Sequence, residues 1–232
     1  MHTVRGVHGP GAVCTGRGAL CTAGGRRNAV DARAWPLHDS GVEPLAWDDP
    51  LPVHPRRILI AGTSGAGKTT LARALSTRLG VPHTDIDGLY HGPGWVPRPE
   101  FVAEATALAA SDEWVTEWQY SVMRGVLLAR ADLLVWLDLS RAAVMRQVVP
   151  RTLRRRLRSV EMWNGNLEPP LWTVFTRRDH IVRWAWRTHP KTAARVRRVL
   201  ASDDPPPVVR LRTRREVHAW LDGPVAALTA TR

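Results

Sequence analysis

Hydrophobic residues follow a pattern from residue 56 onward and none before it. Five short apolar runs, at 57–61, 81–86, 114–117, 133–137 and 208–211, are each bounded by polar or turn residues. Runs of that length are expected of strands covered on both faces. Between them the apolar residues recur every three or four positions. Leu71, Leu75 and Leu79 predict a helix over 68–79. Further helices are predicted over about 100–110, 121–130, 179–188 and 191–201, and a long arginine-rich one is capped by Ser140 and interrupted near Pro150. Thr213-Arg214-Arg215-Glu216 is a capping box, so a last helix starts there. It is expected to end near Leu221, stopped by Gly223 and Pro224.

Strands alternating with helices predict an α/β fold: a five-stranded parallel sheet with helices on both faces. The expected strand order is 2-3-1-4-5. Residues 1–41 are rich in glycine, alanine and arginine without apolar periodicity, and are expected to form a disordered leader. A folded domain is expected over 42–224, with a tail over 225–232. Cys14 and Cys21 both lie in the leader and read as incidental. No apolar run approaches membrane-spanning length and the first residues lack the apolar core of a signal peptide. No membrane partner is expected, and the expected compartment is the cytoplasm.

The segment between the first strand and the first helix changes the picture most. Gly62-Thr63-Ser64-Gly65-Ala66-Gly67-Lys68-Thr69 satisfies G-x-x-x-x-G-K-[ST] at every fixed position, and Thr70 continues it into the helix. Glycines there let successive N–H groups turn toward phosphate oxygens at a helix N-terminus. The pattern predicts ATP and Mg²⁺ as ligands, with Lys68 on the β- and γ-phosphates and the Thr69 hydroxyl on the metal. Of the 33 basic residues only Lys68 and Lys191 are lysines. A compact ammonium at 68 therefore stands out against an arginine background.

Ligands of such sheets sit beyond the carboxyl ends of the strands. Asp85 and Asp87, Glu117 and Asp138 all fall at expected strand ends. Asp138 follows the most apolar strand and looks like a Walker-B aspartate. The expected strand order instead puts the third strand beside the phosphate loop. It therefore favours Glu117 as metal support, Asp87 for acceptor binding or base chemistry, and Asp138 for helix-start geometry with Ser140.

Charge adds a further candidate region. Residues 141–198 hold 15 Arg or Lys and three acids, a balance of +12. A helical lid is expected over about 151–178, with Arg151, Arg154, Arg155 and Arg158 on one face and Arg156 off it. Arg151 and Arg155 are the candidates to neutralise a transferring phosphoryl group. Arg98 is a candidate acceptor contact. Of the 11 tryptophans, Trp114, Trp136 and Trp220 are expected in the core, while Trp95 and Trp118 sit beside the candidate site residues, where packing is the first expectation and stacking on a ring of a bound ligand the second.

Several stretches together resemble bacterial P-loop ATPases related to adenylate kinase, often labelled topology modulation proteins. They are residues 58–72 (ILIAGTSGAGKTTLA), 85–90 (DIDGLY) with Gly94-Trp95, 114–121 (WVTEWQYS), 134–139 (LVWLDL), 154–157 (RRRL), 163–169 (WNGNLEP) and 184–189 (WAWRTH). The resemblance spans about Arg56 to Leu221. It implies a nucleoside-monophosphate-kinase-like core using ATP and Mg²⁺. Many such proteins carry Asp-Gly-Asn-Tyr-Ser where this chain has Glu117-Trp118-Gln119-Tyr120-Ser121. A tryptophan in place of that glycine narrows the expected acceptor pocket.

Two readings follow. One is a Mg²⁺-dependent kinase transferring a phosphoryl group from ATP to a nucleotide or other small molecule. The other is a nucleotide-switched ATPase that contacts DNA or RNA through residues 141–198.

Overall fold

The computed structural model describes residues 42–230 except 168, 171 and 177–179, and the side chains of 174 and 175 are also outside the description. The expected leader, the last two residues of the expected tail and part of the expected lid, Glu168, Arg177 and Arg178 included, lie outside the described residues.

Four parallel strands form the sheet. They are β1 (Arg57–Gly62), β2 (Trp114–Glu117), β3 (Leu133–Leu137) and β4 (Val208–Leu211), in the order β2-β1-β3-β4. The order matches the expectation for four of the five predicted strands. The predicted strand at 81–86 is absent. It is reduced to one parallel bridge, His83 to Val115. Pro82 has no N–H to extend a ladder, and the Asp85 side chain accepts the Asp87 N–H, opening helix α2 (Ile86–Tyr90).

Period-two alternation in β1 sorts the core onto two faces. Ile58 and Ile60 pack with Leu71 and Leu75 of α1 (Lys68–Leu79). Leu59 and Ala61 pack with Phe101 and Ala105 of α3 (Phe101–Ala110), and with Met123 and Leu127 of α4 (Ser121–Leu128). Trp114, Trp136 and Trp220 are buried, as expected.

Two prolines expected to break helices do not. Helix α5 (Arg141–Leu157) runs through Pro150. After the short α6 (Thr173–Thr176), helix α7 (Ile181–Leu200) runs through Pro190. Val144, Val148 and Thr152 form a buried stripe that straddles Pro150, and Ala185 and Val196 lie buried on either side of Pro190. Burying a valine contributes about 1.5–3 kcal/mol, so two together offset the ~3 kcal/mol cost of an internal proline. The capping box at Thr213 starts α8 (Arg214–Trp220), with the Glu216 N–H donating to Thr213 Oγ1 at 3.1 Å. Gly223 and Pro224 do not stop the chain there. It widens through a π-turn over Leu221–Val225 and continues as α9 (Ala226–Ala230), with Leu221 and Val225 buried. Among the described residues no helix is long and apolar enough to cross a membrane.

Candidate functional site

The loop between β1 and α1 has a backbone that its glycines make accessible. Gly65 (φ +83°) and Gly67 (φ +97°) lie in the left-handed region, and Gly67 opens α1. A Cβ on Gly65 would stand 1.9 Å from Val148 Cγ2 of α5. Gly65→Ala is expected to displace Val148 and lower stability by about 1–3 kcal/mol, read as a drop in Tm. Thr63, Ala66 and Lys68 are buried, Gly62, Ser64, Gly65, Gly67 and Thr69 half-buried, and Thr70 exposed.

Lys68 is 8% exposed, although its chemistry is that of a surface residue. Among the described residues its Nζ makes one hydrogen bond, to the Thr63 carbonyl at 3.5 Å. Burial lowers the ammonium's proton affinity. Asp87, Glu117 and Asp85 act against that, while Arg151 adds to it. A glycine loop at a strand–helix junction, closed by a buried lysine, settles the architecture. The fold is the P-loop fold.

Glu117 ends β2 beside that loop and is wholly buried. Its Oε2 accepts the Ile86 N–H at 3.3 Å. Its Oε1 has His83 Nε2 at 3.6 Å and, among the described residues, makes no hydrogen bond. Burial pushes the carboxyl up, but His83, the Thr69 hydroxyl and the Ile86 N–H outweigh it and hold Glu117 below the usual glutamate range. An ionised carboxylate with an orphaned oxygen, against the Thr69 hydroxyl, fits a hard cation such as Mg²⁺. The Asp138 carboxylate is engaged elsewhere. Arg210 of β4 donates to it through Nε at 2.8 Å and Nη2 at 2.5 Å. Asp138 therefore does not serve the helix start, which Ser140 caps alone by accepting the Ala143 N–H at 3.2 Å.

Asp87 lies in the first turn of α2. Its Oδ1 accepts from Gln119 Nε2 at 3.0 Å and from the Tyr120 hydroxyl at 2.5 Å. Tyr120 Oη is also 3.2 Å from His91 Nε2. Burial and the Asp87 charge both raise the phenol's affinity for its proton, so Tyr120 stays a donor. Tyr120 has φ +44°, a strained value for a tyrosine, held where β2 turns into α4. Burial also raises the Asp85 carboxyl, whose Oδ2 accepts from Trp163 Nε1 at 2.9 Å.

Two loops cover this cluster and lock together. The first runs from His91 to Pro97, the second from Glu161 to Leu167, and each is closed by an antiparallel bridge. Asn166, buried, donates to the Gly92 carbonyl at 2.9 Å and the Trp163 carbonyl at 2.7 Å. Its Oδ1 accepts the Trp95 N–H at 2.9 Å. The Asn164 amide donates to the His91 carbonyl. Asn166→Ala removes three hydrogen bonds at once. The expected cost is about 1–3 kcal/mol, with faster hydrogen exchange at the Trp95 amide and unchanged exchange in β1.

The remaining sequence candidates divide. Arg151 and Arg155 are half-buried while Arg154 and Arg158 are exposed, and Arg156, expected off that face, is half-buried too. Arg151 is felt by Lys68, and Arg155 Nη1 contacts Met162 Sδ at 3.1 Å. Arg98 is not offered to an acceptor. Its guanidinium forks onto Glu104 of α3 at 2.9 and 2.7 Å. Trp95 sets its ring against His91 at 5.1 Å between centroids and donates to the Leu167 carbonyl at 3.3 Å, so it belongs to the clasp. Trp118 donates to the Arg124 carbonyl at 3.1 Å and packs against the core. Gln119, Tyr120, Trp163, Asn164 and Asn166 entered the sequence reading only within stretches that carry the family resemblance, with no role of their own, and His83 did not enter it. Asn164-Gly165 signalled a turn, and nothing in the pattern signalled what that turn would meet.

No protein-family model matches the chain. No curated protein matches it in sequence. Among solved structures it is similar to a gluconokinase from Sinorhizobium meliloti 1021, at 19% identity over 77% of this chain and 94% of that one, with a TM-score of 0.43. A shikimate kinase from Bacteroides thetaiotaomicron matches at 16% identity over 72% and 95%, TM-score 0.43. A shikimate kinase from Acinetobacter baumannii in complex with shikimate matches at 18% over 76% and 89%, TM-score 0.43. Similarity at this level decides nothing about chemistry, which rests on the residues of the site.

Proposed function

We propose that this protein is an ATP-dependent kinase of the cytoplasm that phosphorylates a hydroxyl group of a small molecule. The observation that carries the reading is the buried Lys68 ammonium, held in a glycine loop and facing Asp87 and Glu117. A lysine is buried at a cost of several kcal/mol unless a counter-charge arrives, and a triphosphate supplies it.

Each group then has a task. The loop 62–70 turns its N–H groups toward the phosphates of ATP. Lys68 neutralises the β- and γ-phosphates, and Arg151, with Arg155 behind it, adds positive charge where the transferring group passes. Thr69 and Glu117 would hold Mg²⁺, which draws charge off the phosphate oxygens when bound. Asp87, oriented by Gln119 and Tyr120, takes the proton of the acceptor hydroxyl. The acceptor oxygen bonds the γ-phosphorus as the bond to the β,γ-bridging oxygen breaks, and the electron pair leaves with ADP. The two clasped loops exclude water, so transfer to the acceptor outcompetes hydrolysis. Residues of about 151–178 act as the lid.

ADP release, followed by a coupled assay across neutral polyols, sugar acids and nucleosides, tests the reading. One acceptor that raises turnover saturably, with Asp87→Asn lowering kcat, supports it. Turnover indifferent to every acceptor and stimulated by single-stranded DNA would favour the nucleic-acid reading. That alternative draws on the exposed Trp184 and Trp186 of α7, with Arg141 4.5 Å above the Trp186 ring.

A further inference from the structure

A shallow, solvent-open depression of about 340 Å³ lies between α4 and α7, lined by Trp118, Arg124, Leu128, Arg195, Arg198 and Val199, with Ser202 at its end. It shares no residue with the phosphate loop or with the Asp85–His91 cluster. Its walls are two helical stripes. Arg195, Arg198, Val199 and Ser202 fall at i, i+3, i+4 and i+7 along α7 and the turn after it, and Arg124 and Leu128 at i and i+4 along α4.

Three arginines line it, two of which, Arg124 and Arg195, lie close enough for their like charges to act on each other. Among the described residues none of Arg124, Arg195 and Arg198 forms an ion pair. Neither α4 nor α7 contains an acid, and Asp203 and Asp204, next to Ser202, do not line the groove. Arg124 is half-buried, and its burial, together with the like charge of Arg195, weakens its hold on its proton. Like charges held together at a partly buried site are unfavourable unless an anion joins them. Beside them the Trp118 indole, pinned by its bond to the Arg124 carbonyl, supplies a flat apolar wall.

We infer that this groove is a second ligand site, which takes the phosphate of a mononucleotide on Arg124, Arg195 and Arg198 and sets its base against Trp118. The volume is at the small end for a ligand pocket and suits one nucleotide rather than a dinucleotide.

Calorimetric titration with AMP tests the inference on wild type, on Lys68→Ala and on the double variant Arg195→Ala/Arg198→Ala. Arg198 is exposed and Arg195 half-buried, and neither forms an ion pair among the described residues, so the double variant is expected to keep a Tm close to wild type. The expected result is AMP binding that survives Lys68→Ala and weakens roughly tenfold or more in the double variant. Binding lost in Lys68→Ala and kept in the double variant would place AMP in the phosphate loop and overturn the second site. Inorganic phosphate binding as tightly as AMP would overturn the role of Trp118. A single-stranded oligonucleotide that binds while AMP does not would overturn the mononucleotide as ligand.

Discussion

Replacing Lys68 by methionine is expected to abolish ATP turnover and to raise the melting temperature. The two effects have one cause. The ammonium is buried and its one hydrogen bond among the described residues is long, so the fold carries the cost of desolvating a charge. The sign follows from the direction of its shift. A lysine whose folded pKa lies below its unfolded value of 10.5 destabilises the fold at every pH below the folded value, and the penalty fades as pH rises through 10.5. Methionine keeps most of the volume and removes the charge, so the penalty disappears near neutrality. Catalysis loses the group that meets the β- and γ-phosphates, and turnover should fall by roughly 10³-fold or more. Calorimetry and a coupled ADP assay on the same preparation read both. A stable variant with wild-type turnover would remove the phosphate-loop assignment, and a large drop in Tm would mean that Lys68 serves the core. This is a trade of stability for activity at a functional site.

How much of this was visible in the sequence varies by element. β3 and β4 match their predicted spans because each is a continuous apolar run with a clear polar or proline border. The phosphate loop was visible because its chemistry needs fixed residues at fixed spacing. The second strand was not, because Pro82 and the capping Asp85 act within a few residues and override a weak apolar run. The prolines at 150 and 190 misled because a local penalty was weighed without the tertiary burial that offsets it. Arg98 misled because an acceptor contact and an ion pair with Glu104 have the same sequence signature. The clasp was invisible for a different reason. Asn166 reaches Gly92 and Trp95 across more than 70 residues, and no periodicity encodes such a contact.

Glu117→Gln and Asp138→Asn should separate function from stability, since the two carboxylates sit at the ends of the two strands that flank β1 and do different work. Glu117 touches no arginine. It has an orphaned oxygen and the Thr69 hydroxyl beside it. Glutamine keeps its shape and can still accept the Ile86 N–H, so the fold survives. What is lost is the negative charge that would hold Mg²⁺, and turnover should fall by roughly 10²-fold or more at low Mg²⁺, with partial recovery as Mg²⁺ is raised. Asp138 carries two charge-assisted bonds from Arg210 that tie β3 to β4. Asparagine there leaves the guanidinium without its anion, at a cost of about 1–3 kcal/mol. Its Tm should drop while the turnover of the folded fraction stays near wild type. Measuring Tm and the Mg²⁺ dependence of turnover on both variants decides the assignment. Should Asp138→Asn be the variant with the Mg²⁺-dependent defect, the metal belongs at the end of β3, and Glu117 is only the buried partner of His83 and Ile86.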